Sequence, residues 1–69
     1  MQFKIGDTYT IINSSIYITV LSVINQDEDN AEIRVAYFSK QGTAIGMEKL
    51  SLNKSNLRHW IRVPYVPFS

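Results

Sequence analysis

The chain has 69 residues, of which 45% are hydrophobic and 19% charged, a balance typical of a folded protein rather than a disordered one. It contains no cysteine, which excludes disulfide bonds and thiolate metal sites, and its formal net charge is only +1. We therefore expect a single domain over residues 1–69 with a thin core, because a chain of this length buries only about 60% of its unfolded surface.

The sequence carries no targeting signal that we recognise. Its first seven residues lack the apolar segment and the cleavage site of a signal peptide. The most apolar stretch runs from Ile16 to Ile24 and is interrupted by Thr19 and Ser22, whereas a spanning helix needs about 20 apolar residues. We therefore predict a cytoplasmic protein that does not contact a membrane.

Hydrophobic residues recur mostly with period two in the first half of the chain, which predicts strands. A first strand is expected from about Asp7 to Ile12, followed by a turn at Asn13–Ser15. A second strand, Ile16 to Asn25, is rich in β-branched residues and apolar on both faces. Such a pattern indicates a central strand.

Two hairpins are expected next. The polar loop Gln26–Asn30 leads to a third strand, Ala31 to Ser39, and the short connection Lys40–Gly42 leads to a weaker fourth strand, Thr43 to Lys49. Gly46 inside the fourth strand predicts a bulge or a close backbone approach.

The hydrophobic period changes after the fourth strand. Ser51 or Asn53 is expected to cap a short helix that runs to about His59 or Trp60. Three residues would share its apolar face: Leu57, Trp60 and Ile61. The prolines in the tail predict an extended segment over 62–68 that docks as an edge strand, in preference to a free proline-rich ligand at Pro64–Pro67.

These elements predict an all-β fold, a small antiparallel SH3-like partly open barrel of about five strands with one short helical turn near the C-terminus. The alternative is a flatter antiparallel sheet with the helix covering one face. In either case six residues are expected to be substantially buried: Ile18, Val20, Ile33, Val35, Leu57 and Trp60.

The order of the elements resembles that of SH3-like small barrels, in which a helical turn precedes the last strand. The opening Phe3-Lys-Ile-Gly-Asp-Thr-Tyr-Thr-Ile and the closing Leu57-Arg-His-Trp-Ile-Arg-Val also resemble short proteins encoded by bacteriophages and mobile elements. This resemblance implies an accessory role in the host cell, such as modulating a host factor, and it assigns no functional residue.

Catalysis is not expected from the residues present. The only histidine is His59, and the serines lie in turn clusters without the Gly-x-Ser-x-Gly arrangement of a nucleophile. The acidic run Asp27–Asn30 lacks the glycine and the distant glutamate of a calcium loop. We therefore predict a protein that is not an enzyme and needs no cofactor or metal.

The charges are distributed unevenly, which raises the hypothesis of nucleic-acid binding. Residues 27–32 carry a net charge of −4 and residues 33–69 carry +5. Four cations would contact phosphates: Lys49, Lys54, Arg58 and Arg62. The density of basic residues is nevertheless ordinary for a surface, so this hypothesis stays the alternative.

Protein–protein interaction is the favoured hypothesis, because the chain has more large aromatic residues than so thin a core can hide. If Ile33, Val35 and Tyr37 face the core, Phe38 must point to the opposite face together with Arg34. Pairing of the second and third strands would bring Tyr17 beside Phe38 or Ser39. We therefore predict an exposed binding patch built from Phe38, Arg34 and Tyr17, whose partner is another protein or a second copy of the chain.

Overall fold

The computed structural model describes residues 2–64, which form one antiparallel sheet of five strands. The elements in chain order are β1 (Thr8–Ile11), β2 (Ile16–Gln26), β3 (Asn30–Ser39), β4 (Ala44–Asn53), a 3₁₀ turn (Lys54–Leu57) and β5 (Trp60–Val63). Across the sheet the order is β4-β3-β2-β1-β5. The predicted all-β fold class is therefore confirmed, and the open sheet is compatible with a small, partly open barrel.

The strands β2 and β3 lie side by side in the interior of the sheet, as the two apolar faces of β2 predict for β2. Their register is regular from Ile16↔Ser39 to Val20↔Val35 and then shifts twice, between Val20 and Ser22 and between Val23 and Asn25. Such irregularities bend a strand and increase its twist. The bend lets a sheet of only five strands curve around its core.

Both predicted hairpins are present, and in each turn the residue expected from the sequence, Asp27 or Gly42, makes the turn's hydrogen bonds. At the β2–β3 turn the Asp27 carboxylate accepts hydrogen bonds from the backbone N–H groups of Asp29 (2.9 Å) and Asn30 (2.8 Å). At the β3–β4 turn Gly42 has φ +88° and donates its N–H to the Ser39 carbonyl at 2.9 Å. The β2–β3 turn at Asp27–Asn30, which we call the acidic tip, therefore lies at the opposite end of β3 from the β3–β4 turn.

The hydrophobic core lies against one face of the sheet, which we call the core face. Six buried residues form it: Phe3, Ile18, Val20, Ala31, Ile33 and Val35. Leu57 and Trp60, both predicted to be substantially buried, are half-buried and pack against its margin. The Trp60 ring lies 5.5 Å from that of Tyr9 and 6.3 Å from that of Phe3, between ring centroids.

The predicted C-terminal helix is wrong in its extent. Asn53 caps the segment as expected, because its side-chain oxygen accepts from the N–H groups of Ser55 (3.0 Å) and Asn56 (3.2 Å), but the turn ends at Leu57. Trp60 instead begins β5, where it is the register partner of Ile11. Backbone pairing along β1 thus outweighs the helical spacing of the apolar residues, and Ile61 is exposed rather than on the Leu57 face.

β5 is an edge strand, as the prolines predict, and it ends immediately before Pro64. The remainder of the predicted docked tail, 65–68, lies outside the described residues. In the part of the chain that the structure describes, no helix has the length and hydropathy needed to cross a membrane.

Candidate protein-binding surface

The face of the sheet opposite the core, which we call the groove face, also carries apolar residues. Because side chains alternate along a strand, Val35 and Tyr37 of β3 point to the core face while Arg34, Ala36 and Phe38 point to the groove face. Register places Met47 of β4 beside Ala36. The groove face is therefore apolar toward the β3–β4 turn and charged toward the middle of β3.

A depression of about 500 Å³ lies on this face, and we call it the apolar groove. Side chains of three neighbouring strands line it: Leu21, Ala36, Phe38, Ala44, Ile45 and Met47. Ile45 is 58% exposed and Met47 is 78% exposed, so the rim of the groove presents aliphatic side chains to water. Large exposed apolar residues that adjoin one another are characteristic of interaction sites.

The predicted exposure of Phe38 is wrong, because only 7% of this residue is accessible. Phe38 lies on an interior strand, with Tyr17 of β2 as its register partner on one side and Ala44 of β4 on the other. The buried ring forms part of the floor of the apolar groove. Phe38 supports the surface from below and does not project from it as an anchor.

The other two predicted patch residues lie as the sequence indicates. Arg34 is exposed on the groove face, and Tyr17 is the half-buried register partner of Phe38. Arg34 is also the register partner of Lys49 on β4. We call Arg34 and Lys49 the basic pair; they flank the apolar groove on the side toward the acidic tip.

The outer edge of β4 borders both the groove and the basic pair. Every residue from Ala44 to Lys49 is exposed, and β4 pairs only with β3 among residues 2–64. The bulge predicted at Gly46 is confirmed, because the register shifts between Tyr37↔Gly46 and Phe38↔Ala44. The alternative of a close backbone approach is not seen, since a Cβ added to Gly46 would meet no atom within 4 Å.

On the core face of the same edge, Tyr37 and Glu48 are linked by a hydrogen bond. The Tyr37 hydroxyl donates to Glu48 Oε2 at 2.8 Å. Burial and then this hydrogen bond to a carboxylate raise the pKa of Tyr37 to about 12. Because side chains alternate along β4, the two faces of the edge carry opposite charges, with Glu48 on the core face and Lys49 on the groove face.

The four cations of the nucleic-acid alternative are not gathered on one surface. Lys49 lies on β4 and Arg62 on β5, which are opposite edges of the sheet. Lys54 begins the 3₁₀ turn and Arg58 follows it. Three of the four have a carboxylate partner: Lys49 with Glu32 at 3.2 Å, Lys54 with Asp29 at 3.3 Å, and Arg62 with Asp7 at 3.0 Å. This arrangement offers no continuous basic track for a phosphate backbone.

Residues 2–64 contain no group of three or more histidine, aspartate or glutamate side chains placed to hold a metal ion. His59, the histidine considered for catalysis, is exposed in the turn before β5.

The sequence pattern did not assign Leu21, Ile45 and Met47 to the candidate surface. Alternation along the fourth strand places Ile45 and Met47 on one face, but the pattern alone does not say that this face lies away from the core. In the structure Ile45 and Met47 lie on the edge strand β4 and are exposed, and Leu21 lies on the interior strand β2.

Comparison with protein-family models, with curated proteins and with solved structures found no match.

Proposed function

We propose that this protein is a non-enzymatic binding module that acts through protein–protein interaction, and that the apolar groove with the basic pair is its docking surface. The observation that carries the proposal is the exposure of Ile45 and Met47 at the rim of a groove whose floor, Ala36 and Phe38, is buried. A firm floor with an accessible apolar rim is what an anchor side chain of a partner requires.

The charges around the groove support a protein partner more than a nucleic acid. Arg34 has no ion-pair partner among residues 2–64 and is exposed beside the groove. An arginine next to apolar area combines a directional donor with surface that gains from leaving water. A phosphate backbone would need several such cations along one path, and the basic residues are dispersed.

The resemblance to short bacteriophage and mobile-element proteins extends the proposal to the kind of partner. We expect a protein of the bacterial host cell, whose activity would be modulated by the binding of this small module. No enzymatic step of the module itself is needed for such a role.

The test is capture from a bacterial lysate by the immobilised protein, with and without nuclease. Met47→Asp places a charge on the groove rim, and Ile5→Asp is the matched control, because Ile5 is 74% exposed and does not line the groove. We expect wild type and Ile5→Asp to retain the same nuclease-resistant partner and Met47→Asp to lose it. Equal behaviour of the two variants, or loss of the partner after nuclease treatment, would show that the proposal is wrong.

A further inference from the structure

We infer that the edge of β4 binds an extended segment of the partner protein as an additional antiparallel strand, and that it selects an acidic residue two positions before an apolar residue. The inference rests on the proposed function, because it names the binding mode and the partner chemistry of the same surface. It adds a requirement that the groove alone does not make, namely backbone pairing to β4.

The β4 edge has the length and regularity that strand addition needs. Its register with β3 is unbroken from Gly46↔Tyr37 to Asn53↔Asn30, and the bulge is confined to the segment before Gly46. β4 contains no proline, and among residues 2–64 it has no second strand beside it. Edge strands of folded proteins are normally short or blocked, so a long regular edge beside an apolar groove is suited to receive a strand.

The groove face determines two side chains of the added strand. A residue opposite Met47 would extend over the apolar groove, and a residue opposite Lys49 would lie beside the basic pair. The first position therefore favours a large aliphatic side chain. Lys49 already pairs with Glu32 at 3.2 Å, but its side chain is 52% exposed and the neighbouring Arg34 has no ion-pair partner among residues 2–64, so the second position favours a carboxylate. In an antiparallel strand the carboxylate comes two residues before the aliphatic residue, because the added chain runs from Lys49 toward Met47.

The core face determines two more positions. A residue opposite Glu48 would face a carboxylate, so lysine or arginine is favoured there. A residue opposite Gly46 would meet open space, since even a Cβ at Gly46 would have no neighbour within 4 Å. An aromatic side chain can cover such a glycine on an edge strand. The selected pattern is acidic, basic, aliphatic, aromatic, in that order.

A second copy of the chain meets this pattern poorly. In a two-fold symmetric antiparallel pair the same face of both sheets lies on one side, so Glu48 of one copy is never directly opposite Lys49 of the other. Pairing centred on Glu48 places two carboxylates opposite each other, and pairing centred on Lys49 places two ammonium groups opposite each other. Pairing centred on Met47 removes these clashes but brings the irregular bulge into the interface. Pairing centred on Leu50 avoids both the clashes and the bulge, but it places Lys49 opposite Ser51 and Glu48 opposite Leu52, so neither charged residue meets an opposite charge. A different protein is therefore the better occupant.

The test uses a synthetic peptide, Thr-Val-Glu-Lys-Leu-Tyr-Thr, titrated into isotope-labelled protein and followed by amide chemical shifts. The control peptide, Thr-Val-Lys-Glu-Leu-Tyr-Thr, has the same composition with the two charges exchanged. We expect shifts concentrated on Gly46 to Ser51 and binding about tenfold weaker for the control peptide, because two opposite-charge pairs become like-charge pairs. The double variant Glu48→Lys with Lys49→Glu should reverse the ranking of the two peptides.

Backbone pairing is tested with two further peptides that carry N-methyl groups on alternate residues. Only one alternate set of N–H groups faces β4, so one peptide should lose binding and the other keep it. Equal binding of the charge-exchanged peptides, equal effects of the two methylated peptides, or concentration-dependent broadening at β4 without peptide would overturn the inference. The lysate capture experiment separates the two proposals. If the peptide results contradict strand addition but capture of the partner still depends on Met47, strand addition is wrong and the proposed function stands. If capture does not depend on Met47 either, both are wrong.

Discussion

The hydroxyl oxygens of Thr8 and Thr19 lie 3.0 Å apart, and both residues are buried on neighbouring strands of the sheet. The Thr8 hydroxyl has a second partner, because it lies 3.4 Å from the Gly6 carbonyl oxygen. For the Thr19 hydroxyl, Thr8 is the only hydrogen-bond partner found within residues 2–64. The pair thus satisfies the Thr19 hydroxyl, which would otherwise be buried without a partner among residues 2–64.

We predict that Thr8→Val lowers the free energy of unfolding by about 1–3 kcal/mol, because it leaves the Thr19 hydroxyl buried and unpaired. Thr19→Val should have a smaller effect, since Thr8 can turn to the Gly6 carbonyl. The double variant should be less destabilised than the sum of the single changes, as denaturant unfolding of all four proteins would show. Strict additivity would mean that the two hydroxyl groups are not coupled.

A second prediction concerns the ion pair between Asp7, which precedes β1, and Arg62 on β5. Asp7 accepts from Arg62 through one carboxylate oxygen and from the Lys4 backbone N–H through the other, each at 3.0 Å. The Asp7 side chain is 8% exposed and that of Arg62 is 67% exposed. We therefore expect Asp7→Ala to lower the free energy of unfolding by about 2–3 kcal/mol, and Arg62→Ala by less than about 1 kcal/mol. Equal losses in urea unfolding would contradict this asymmetry.

A third prediction follows from the hydrogen bond between Tyr37 and Glu48. The pKa of Tyr37 is raised to about 12, so this group stabilises the fold fully below the ordinary tyrosine pKa of about 10 and loses that contribution as pH rises from there toward 12. Spectrophotometric titration should show a late-ionising tyrosine that is absent in Tyr37→Phe. Glu48→Gln should lower the pKa of Tyr37, because the negative acceptor is removed. An unchanged titration in Glu48→Gln would contradict the assignment.

A fourth prediction separates the floor of the apolar groove from its rim. Phe38→Ala should lower the free energy of unfolding by about 3 kcal/mol, because it empties a buried site. Ile45→Ala removes an exposed side chain from the same groove and should change stability by no more than about 0.5 kcal/mol. Thermal unfolding of the two variants makes the comparison, and a Phe38→Ala variant as stable as Ile45→Ala would restore Phe38 as a surface residue.

The fifth prediction concerns the acidic tip. Hydrogen bonds from the backbone N–H groups of Asn30 and Asp29 lower the pKa of Asp27. Any stability that Asp27 contributes is therefore present above the ordinary aspartate pKa and is lost as pH falls through the lowered value. Carboxyl resonances followed by NMR against pH should show Asp27 titrating below pH 3.8. Asp27→Asn, which keeps an acceptor oxygen, should retain the hairpin while removing this part of the acid dependence.

The sequence predicts most of the sheet because alternation and β-branched runs are local signals. Ile33 and Val35 are buried, and the turns at Asp27 and Gly42 close where turn residues occur. The prediction that Trp60 lies on a helix is wrong because it used only local spacing. Trp60 has helical spacing from Leu57, but its pairing with Ile11 joins distant parts of the sequence. Sequence spacing contains no information about which distant strand will offer backbone partners.

The candidate binding surface is predicted only in part. Alternation places Arg34 and Phe38 on one face, and the hairpin brings Tyr17 to Phe38, as the structure shows. Alternation does not predict exposure. Phe38 and Arg34 share one face of the interior strand β3, yet Phe38 is buried and Arg34 is exposed, whereas Met47 on the edge strand β4 is exposed.

The pairing of β1 with β5 also has a consequence for the order in which the sheet assembles. Asp7 and Arg62 are 55 residues apart in sequence, whereas β2, β3 and β4 are joined by short hairpins. On refolding, the meander from β2 to β4 can therefore form before β5 pairs with β1, because its contacts are more local. Until Trp60–Val63 pair with it, β1 has no strand along its outer side. A change that slows this last pairing would prolong a state in which β1 is open to pairing with other chains.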